Sequence, residues 1–199
     1  MFEQIKPKIS IVVPSWFTPN QHGKYGQNET FKIAQSCLKR LFKVTPTGLC
    51  ELILIDNGIT LWFDSLEEYW AGANILIRNR ENLGFAPAVN QGINLARGEY
   101  IIQMNNDILV WDGWLEQMLK DFEVVEKCNP PVGLLMPAIV KEKINFWDAV
   151  KMEKKDIDMT RNAGQWGVGA EFGSLWMGKK SLLMEIAKNR DGYQVLDEN

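Results

Sequence analysis

Apolar positions fall in short runs separated by amphipathic or polar stretches, and the runs differ in kind. Residues 9–13 (Ile-Ser-Ile-Val-Val) are β-branched and closed by Pro14, which predicts a buried strand. Residues 51–55, 74–78, 100–104 and 132–136 predict four more strands. The stretches between them carry helical spacing. Over 29–43, with Asn28 as N-cap, Phe31, Ala34, Leu38, Leu41 and Phe42 share one face, and Lys32, Gln35, Lys39, Arg40 and Lys43 share the other. A short helix is expected near 64–70 and longer ones over 86–96 and 112–127, the last with Trp114, Leu115, Met118, Leu119, Phe122 and Val125 inward. Thr45-Pro46-Thr47-Gly48, Arg97-Gly98 and Asn129-Pro130-Pro131 end helices.

Continuously apolar strands alternating with helices predict an α/β domain, a parallel sheet covered on both faces. Right-handed crossovers then bring the C-terminal ends of the strands to one edge, where open α/β sheets bind ligands. Ser15, Asp56-Asn57 and Asn105-Asn106-Asp107 sit at that edge. After Pro137 the pattern weakens. Residues 141–160 are charge-rich, either a solvated segment or an acceptor-side flap, 164–178 are rich in Gly and Trp, and 179–188 is helical in pattern.

Composition narrows the function. The chain has 199 residues, 46% hydrophobic and 24% charged, which suits a single soluble domain. A net charge of −3 argues against a nucleic-acid binder. No apolar run approaches the ~20 residues of a membrane span. Residues 1–4 (Met-Phe-Glu-Gln) do not open a signal peptide. The three cysteines, Cys37, Cys50 and Cys128, form no CxxC pair and fit buried thiols in a reducing compartment. A single histidine, His22, argues against a His-based triad and leaves any metal to carboxylates.

Three segments carry candidate chemistry, each with a plainer alternative. Asn105-Asn106-Asp107 offers a carboxylate and an amide oxygen to Mg²⁺ or Mn²⁺, or is a polar turn capping the next helix. Asp56-Asn57-Gly58 can meet the edge of a nucleobase, or is a common Asn-Gly turn. In residues 82–92, Gly84 permits close backbone approach and the following helix, with Pro87 in its first turn, points N–H groups at an anion. Asn90 reaches back to the same loop or merely stabilises it. Trp166, flanked by Gly164 and Gly167, suits stacking on a sugar ring or packing in the core. The glycines at 167, 169 and 173 mimic a dinucleotide fingerprint without the strand such a motif needs.

In order and spacing, these blocks resemble the family 2 glycosyltransferases, and within them the rhamnosyltransferase-like branch. The resemblance runs over residues 8–119: strand 9–13 with Pro14-Ser15, then Leu54-Ile55-Asp56-Asn57-Gly58, Asn82-Leu83-Gly84-Phe85 through Asn90-Gln91-Gly92, Ala96-Arg97-Gly98-Glu99-Tyr100, Asn105-Asn106-Asp107, and Gly113-Trp114-Leu115. It implies the GT-A fold, a Rossmann-like, mostly parallel sheet with helices on both faces. Residues 1–137 would be the nucleotide-sugar half and 138–199 the acceptor side. It implies a UDP-, dTDP- or GDP-sugar donor, a glycan or lipid-linked acceptor, Mn²⁺ or Mg²⁺, transfer with inversion, and a cytoplasmic enzyme, peripheral at the membrane or free of it. On this carry-over Pro14 and Ser15 line the nucleoside pocket, Asp56 and Asn57 meet base or ribose, and Asn82, Gly84, Phe85 and Asn90 belong to the donor loop. Asn105-Asn106-Asp107 stands at the family's Asp-x-Asp position. Asn105 replaces the first acid, so Asp107 alone would hold the metal. The general base is expected at Asp197 or Glu198, or just past residue 199. In the latter case the chain is a nucleotide- or glycan-binding module without turnover.

Overall fold

The computed structural model describes residues 7–17, 27–46, 48–59, 66–127, 133–136 and 175–188. The elements in chain order are β1 (Ile9–Ser15), α1 (Gln27–Val44), β2 (Cys50–Asn57), α2 (Leu66–Trp70), β3 (Ile75–Asn79), α3 (Phe85–Leu95), β4 (Tyr100–Met104), α4 (Trp114–Val125), β5 (Leu134–Leu135), β6 (Leu175–Lys179) and α5 (Lys180–Lys188). They form a six-stranded sheet of order β3-β2-β1-β4-β6-β5. β1 pairs in parallel with β2 and β4, and β2 with β3. β6 runs antiparallel to both β4 and β5. The sheet is therefore mixed: the parallel run expected from sequence holds through β4, and β6 enters between β4 and β5. The expected strand over 132–136 shrinks to a two-residue partner of β6.

Both faces are covered. Ile9, Ile11, Val13, Leu52, Leu54, Ile102, Met104 and Met177 pack under α1, α2 and α4, meeting Phe31, Leu38, Leu41, Tyr69, Leu115, Met118 and Phe122. Val12, Ile53, Ile55 and Ile101 face Ala88, Val89 and Ile93 of α3, with Leu183 and Met184 of α5 alongside. The period-two alternation along each strand divides residues between these cores. Gly92 lets α3 sit close, because a Cβ there would lie 2.4 Å from Val12 Cγ1.

Two helical expectations change. α1 begins at Gln27, so Asn28 lies within its first turn and not at the cap. Phe42 leaves the buried face and is 44% exposed, its ring covering Gly72, where a Cβ would fall 2.1 Å from the ring.

The N-terminal rim of the sheet is tied by a buried acid. Glu51 Oε1 accepts hydrogen bonds from the Ser10 hydroxyl (2.6 Å) and the Arg97 backbone N–H (2.6 Å). Its Oε2 accepts Arg97 Nε at 2.8 Å and Nη2 at 2.7 Å. Ser10 Oγ in turn accepts the Gly98 N–H at 2.8 Å. Burial alone would raise the Glu51 pKa, but the hydrogen bonds from Ser10 and Arg97 and the guanidinium charge hold it below the ordinary value. Among the described residues no helix is long and apolar enough to cross a membrane.

Candidate active site

At the opposite rim the strand ends line up. Register pairs Ser15 with Asp56, and Asp56 with Arg78, so three polar residues on neighbouring strands form one lateral row. They lie on the α1–α2 side, because Ser15 alternates with Val13 and Asp56 with Leu54. Beneath the row stand Tyr69 and Trp70 of α2. The Ser15 and Tyr69 hydroxyls are 2.7 Å apart, and Tyr69 is also hydrogen-bonded to Asn106 beyond β4. Burial, offset only in part by these bonds, pushes the Tyr69 phenol above its ordinary pKa, so it is a neutral hydroxyl joining β1 to the segment after β4. Tyr69 also closes an aromatic cluster with Phe17 (6.0 Å) and Phe31 (5.6 Å). Only the fold brings Tyr69 to this rim. In sequence it is one aromatic in a short, charged helix.

Asp56 is enclosed, its side chain 3% exposed. Oδ1 accepts the Ile59 N–H at 2.8 Å and Oδ2 accepts Arg78 Nε at 3.2 Å. The Arg78 guanidinium lies over the Trp70 ring, 4.2 Å from its centroid. Arg78, absent from the sequence expectation, caps the acid at the end of β2.

Asn57 points to the other side of the sheet and fills its hydrogen-bonding capacity within the protein. Nδ2 donates to Asn82 Oδ1 (2.8 Å) and to the Gly84 carbonyl (3.0 Å). Oδ1 accepts from Asn79 Nδ2 (3.0 Å) and the Leu83 N–H (3.2 Å). Asn79 and Gln91 exchange a pair of amide bonds of 2.9 and 3.0 Å. Asn82 Oδ1 also accepts the Gly84 N–H at 2.8 Å. The amides of Asn57, Asn79, Asn82 and Gln91 thus bind the 82–84 loop to β2, β3 and α3. Gly58 makes this contact possible. Its φ is +79°, and a Cβ there would lie 2.3 Å from the Glu81 carbonyl carbon. Gly84, φ +89°, precedes α3 with no side-chain cap, and Phe85 beside it is 49% exposed. Asn90 lies part-buried one turn into α3.

Past β4, Asn105 and Asn106 are part-buried and Asp107 is exposed. Burial first, and the Asp107 charge second, raise the pKa of the Cys37 thiol on α1, which puts this carboxylate above the α1 side of the sheet. Asn105 Oδ1 accepts Nε2 of the fully buried Gln103 at 3.0 Å. The amide oxygen expected to serve a metal is therefore already engaged, and Gln103, which nothing in the sequence singled out, sets its direction. No group of three or more His, Cys, Asp or Glu gathers among the described residues. That donor set fits Mg²⁺ or Mn²⁺ arriving with a diphosphate, since such ions need only one or two protein carboxylates beside phosphate oxygens and water. Pro14 is part-buried at the end of β1. Trp166, Asp197 and Glu198 lie outside the described residues.

A parallel α/β sheet with an antiparallel strand beside β4, and with its polar residues gathered at the C-terminal rim, defines the GT-A class of fold. The structure of the mannosyltransferase PcManGT from Pyrobaculum calidifontis, in complex with GDP-Man and Mn²⁺, shares it. Its TM-score is 0.54 at 18% identity, covering 91% of this chain and 47% of that one. So does S. aureus TarS in complex with UDP-GlcNAc, with a TM-score of 0.54 at 15% identity, covering 90% and 47%. In sequence, the glycosyltransferase GlyG of Streptococcus pneumoniae is 31% identical over 125 residues, 59% of this chain and 37% of that protein. The chain thus spans less than half the length of these relatives. The model of glycosyl transferase family 2 matches residues 27–187, and the chain belongs to that family.

Proposed function

We propose that the chain transfers a sugar from a nucleotide-diphosphate sugar to an acceptor hydroxyl, with inversion and with a divalent metal. The observation that carries this reading is the placement of Asp107. It is exposed just past β4, on the rim shared with the Ser15–Asp56–Arg78 row and the uncapped start of α3. The family and the nucleotide sugars held by its structural neighbours support it.

In this reading residues 1–137 bind the donor and 138–199 serve the acceptor. Asp107 holds the metal, which when bound offsets negative charge on the departing nucleoside diphosphate. Tyr69 and Gln103 fix Asn106 and Asn105 beside it. The 82–84 loop, held by Asn57, brings the open N–H groups of α3 to the same rim, where they favour an anion. The acceptor hydroxyl attacks the anomeric carbon as the bond to the diphosphate breaks on the opposite face. Asp197 or Glu198 takes its proton, and Trp166 stacks on a sugar.

Calorimetric titration with UDP, dTDP and GDP, with and without Mn²⁺, tests the reading. Metal-dependent binding of at least one is expected, and binding of none overturns it. Asp107→Ala should abolish the metal dependence while leaving the fold intact. Wild-type metal-dependent affinity in that variant would remove Asp107 from the metal site. Donor turnover or hydrolysis by the same protein separates an enzyme from a binding module.

A further inference from the structure

Backbone pairing between β1 and β4 runs from Ile9–Tyr100 to Val12–Gln103 and stops there, although β1 continues to Ser15 beside β2. A crevice therefore opens between the two strands at the C-terminal rim. It lies where the strand order turns back, with β2 and β3 on one side of β1 and β4 on the other. Carried three residues past Val12–Gln103, the register would set Ser15 opposite Asn106. The Tyr69 hydroxyl stands between these two residues and bonds to both. Tyr69 is 3% exposed, and Phe17 and Phe31 hold its ring. Asn106 in turn shares a tight turn with Asp107. The Ile108 N–H reaches the Asn105 carbonyl at 3.4 Å, which makes 106 and 107 the two central residues. A grip on Asn106 is therefore a grip on the backbone that carries Asp107.

We propose that Tyr69 couples the two sides of this crevice, so that a nucleotide on the β1 side and a divalent metal at Asp107 each bind more tightly when the other is present. The inference rests on the nucleotide-sugar reading above and adds to it the group through which the two ligands sense one another. Tyr69 is a positioning residue: it is buried and acts through Ser15 and Asn106. Direct contact between metal and diphosphate supplies one part of the mutual gain. The bridge supplies a second part, because it holds the Asp107 turn in a fixed relation to β1 before either ligand arrives. Without it the turn must be brought into place when the pair binds, and that ordering cost falls on the pair and not on the nucleotide alone.

The test measures the affinities of UDP and GDP by calorimetry, each with Mn²⁺ and with a chelator, and takes the ratio of the two conditions. Tyr69→Phe keeps the ring in its aromatic cluster and removes only the hydroxyl. It should lower the ratio about three- to tenfold, the worth of one buried hydrogen bond, and leave the affinity in chelator within about twofold of wild type. Ser15→Ala, on the strand across the crevice from Asp107, should lower the same ratio, and any contact Ser15 itself makes with the nucleotide cancels in it. The double variant should lose no more than either single one, because both break one bridge. A partly unfolded variant would lower the binding stoichiometry and leave the ratio as it was, so lost stability cannot imitate the effect. A second readout needs no ligand. In metal-free protein, Tyr69→Phe should speed amide hydrogen exchange over residues 105–108 and leave β2 as it was. A wild-type ratio in Tyr69→Phe would overturn the proposal. So would equal weakening with and without Mn²⁺, additive losses in the double variant, or unchanged exchange over 105–108. If wild type binds no nucleotide, or binds it with no effect of metal, the functional reading itself fails. If the metal effect is present in wild type and persists in Tyr69→Phe, only this inference fails.

Discussion

Asn57 shows how much one side chain can organise. Its four hydrogen bonds reach two separate segments, the end of β3 at Asn79 and the 82–84 loop, and fill both ends of its own amide. Asn57→Leu should therefore cost about 2–4 kcal/mol in denaturant unfolding, at roughly 1 kcal/mol per bond. A change under about 0.5 kcal/mol, the scale of an ordinary surface substitution, would show that the loop is held by other means. Glu51 gives a prediction in pH. A carboxyl whose pKa is lower in the folded chain than in the unfolded one adds stability above the unfolded value. Here that value is 4.5, and the contribution is lost as pH falls through the folded value. The stability gap between wild type and Glu51→Gln should be largest near neutrality and shrink below about pH 4.5. A gap that is constant from pH 7 to pH 3 would contradict the lowered pKa. Asp56, Asn57 and Asp107 stood out in the sequence because they follow buried strands. Tyr69, Arg78 and Gln103 did not. What marks each of them is a partner distant in sequence or an orientation across the sheet, which chain spacing does not encode.

Among the elements, α3 is the one most tightly bound to the sheet by a small residue. Gly92→Ala would drive a methyl against Val12 and Ile55 Cδ1, the latter at 3.2 Å, inside a filled core. Overpacking of this kind costs about 1–3 kcal/mol. Val12→Ala in the same chain should recover part of that cost, giving a measurable coupling in a double-mutant cycle. Independent, additive effects would mean that α3 shifts as a body. The sequence located α3 and α4 within two residues at each end, since their apolar period is strong. It misjudged the start of α1, where Asn28 imitates a cap, and it placed Phe42 in the core. Phe42 sits at the margin of the apolar stripe, where the gap left by Gly72 draws it outward.

For the molecule as a whole, the sequence indicates the first four strands and their two-sided cover, because buried parallel strands are apolar throughout. The antiparallel entry of β6 is not legible in that way. Residues 175–179 (Leu-Trp-Met-Gly-Lys) carry no directional signal, and strand order depends on pairing at long range. β1 lies in the middle of the parallel run, paired on both edges and buried on both faces. Its amides should exchange hydrogen near the global unfolding limit, while those of the edge strand β3, with Leu76 exposed, should exchange faster. The reverse order by mass spectrometry would contradict the strand order.

The carboxylate of Glu51, at the start of β2, and the guanidinium of Arg78, near the end of β3, belong to opposite rims of the sheet. One fastens the crossover into β4 to the floor of the domain, and the other covers Asp56 at the opposite rim. Because the two ends share no hydrogen bond among the described residues, the floor could be hardened or loosened to suit temperature without rebuilding the opposite rim.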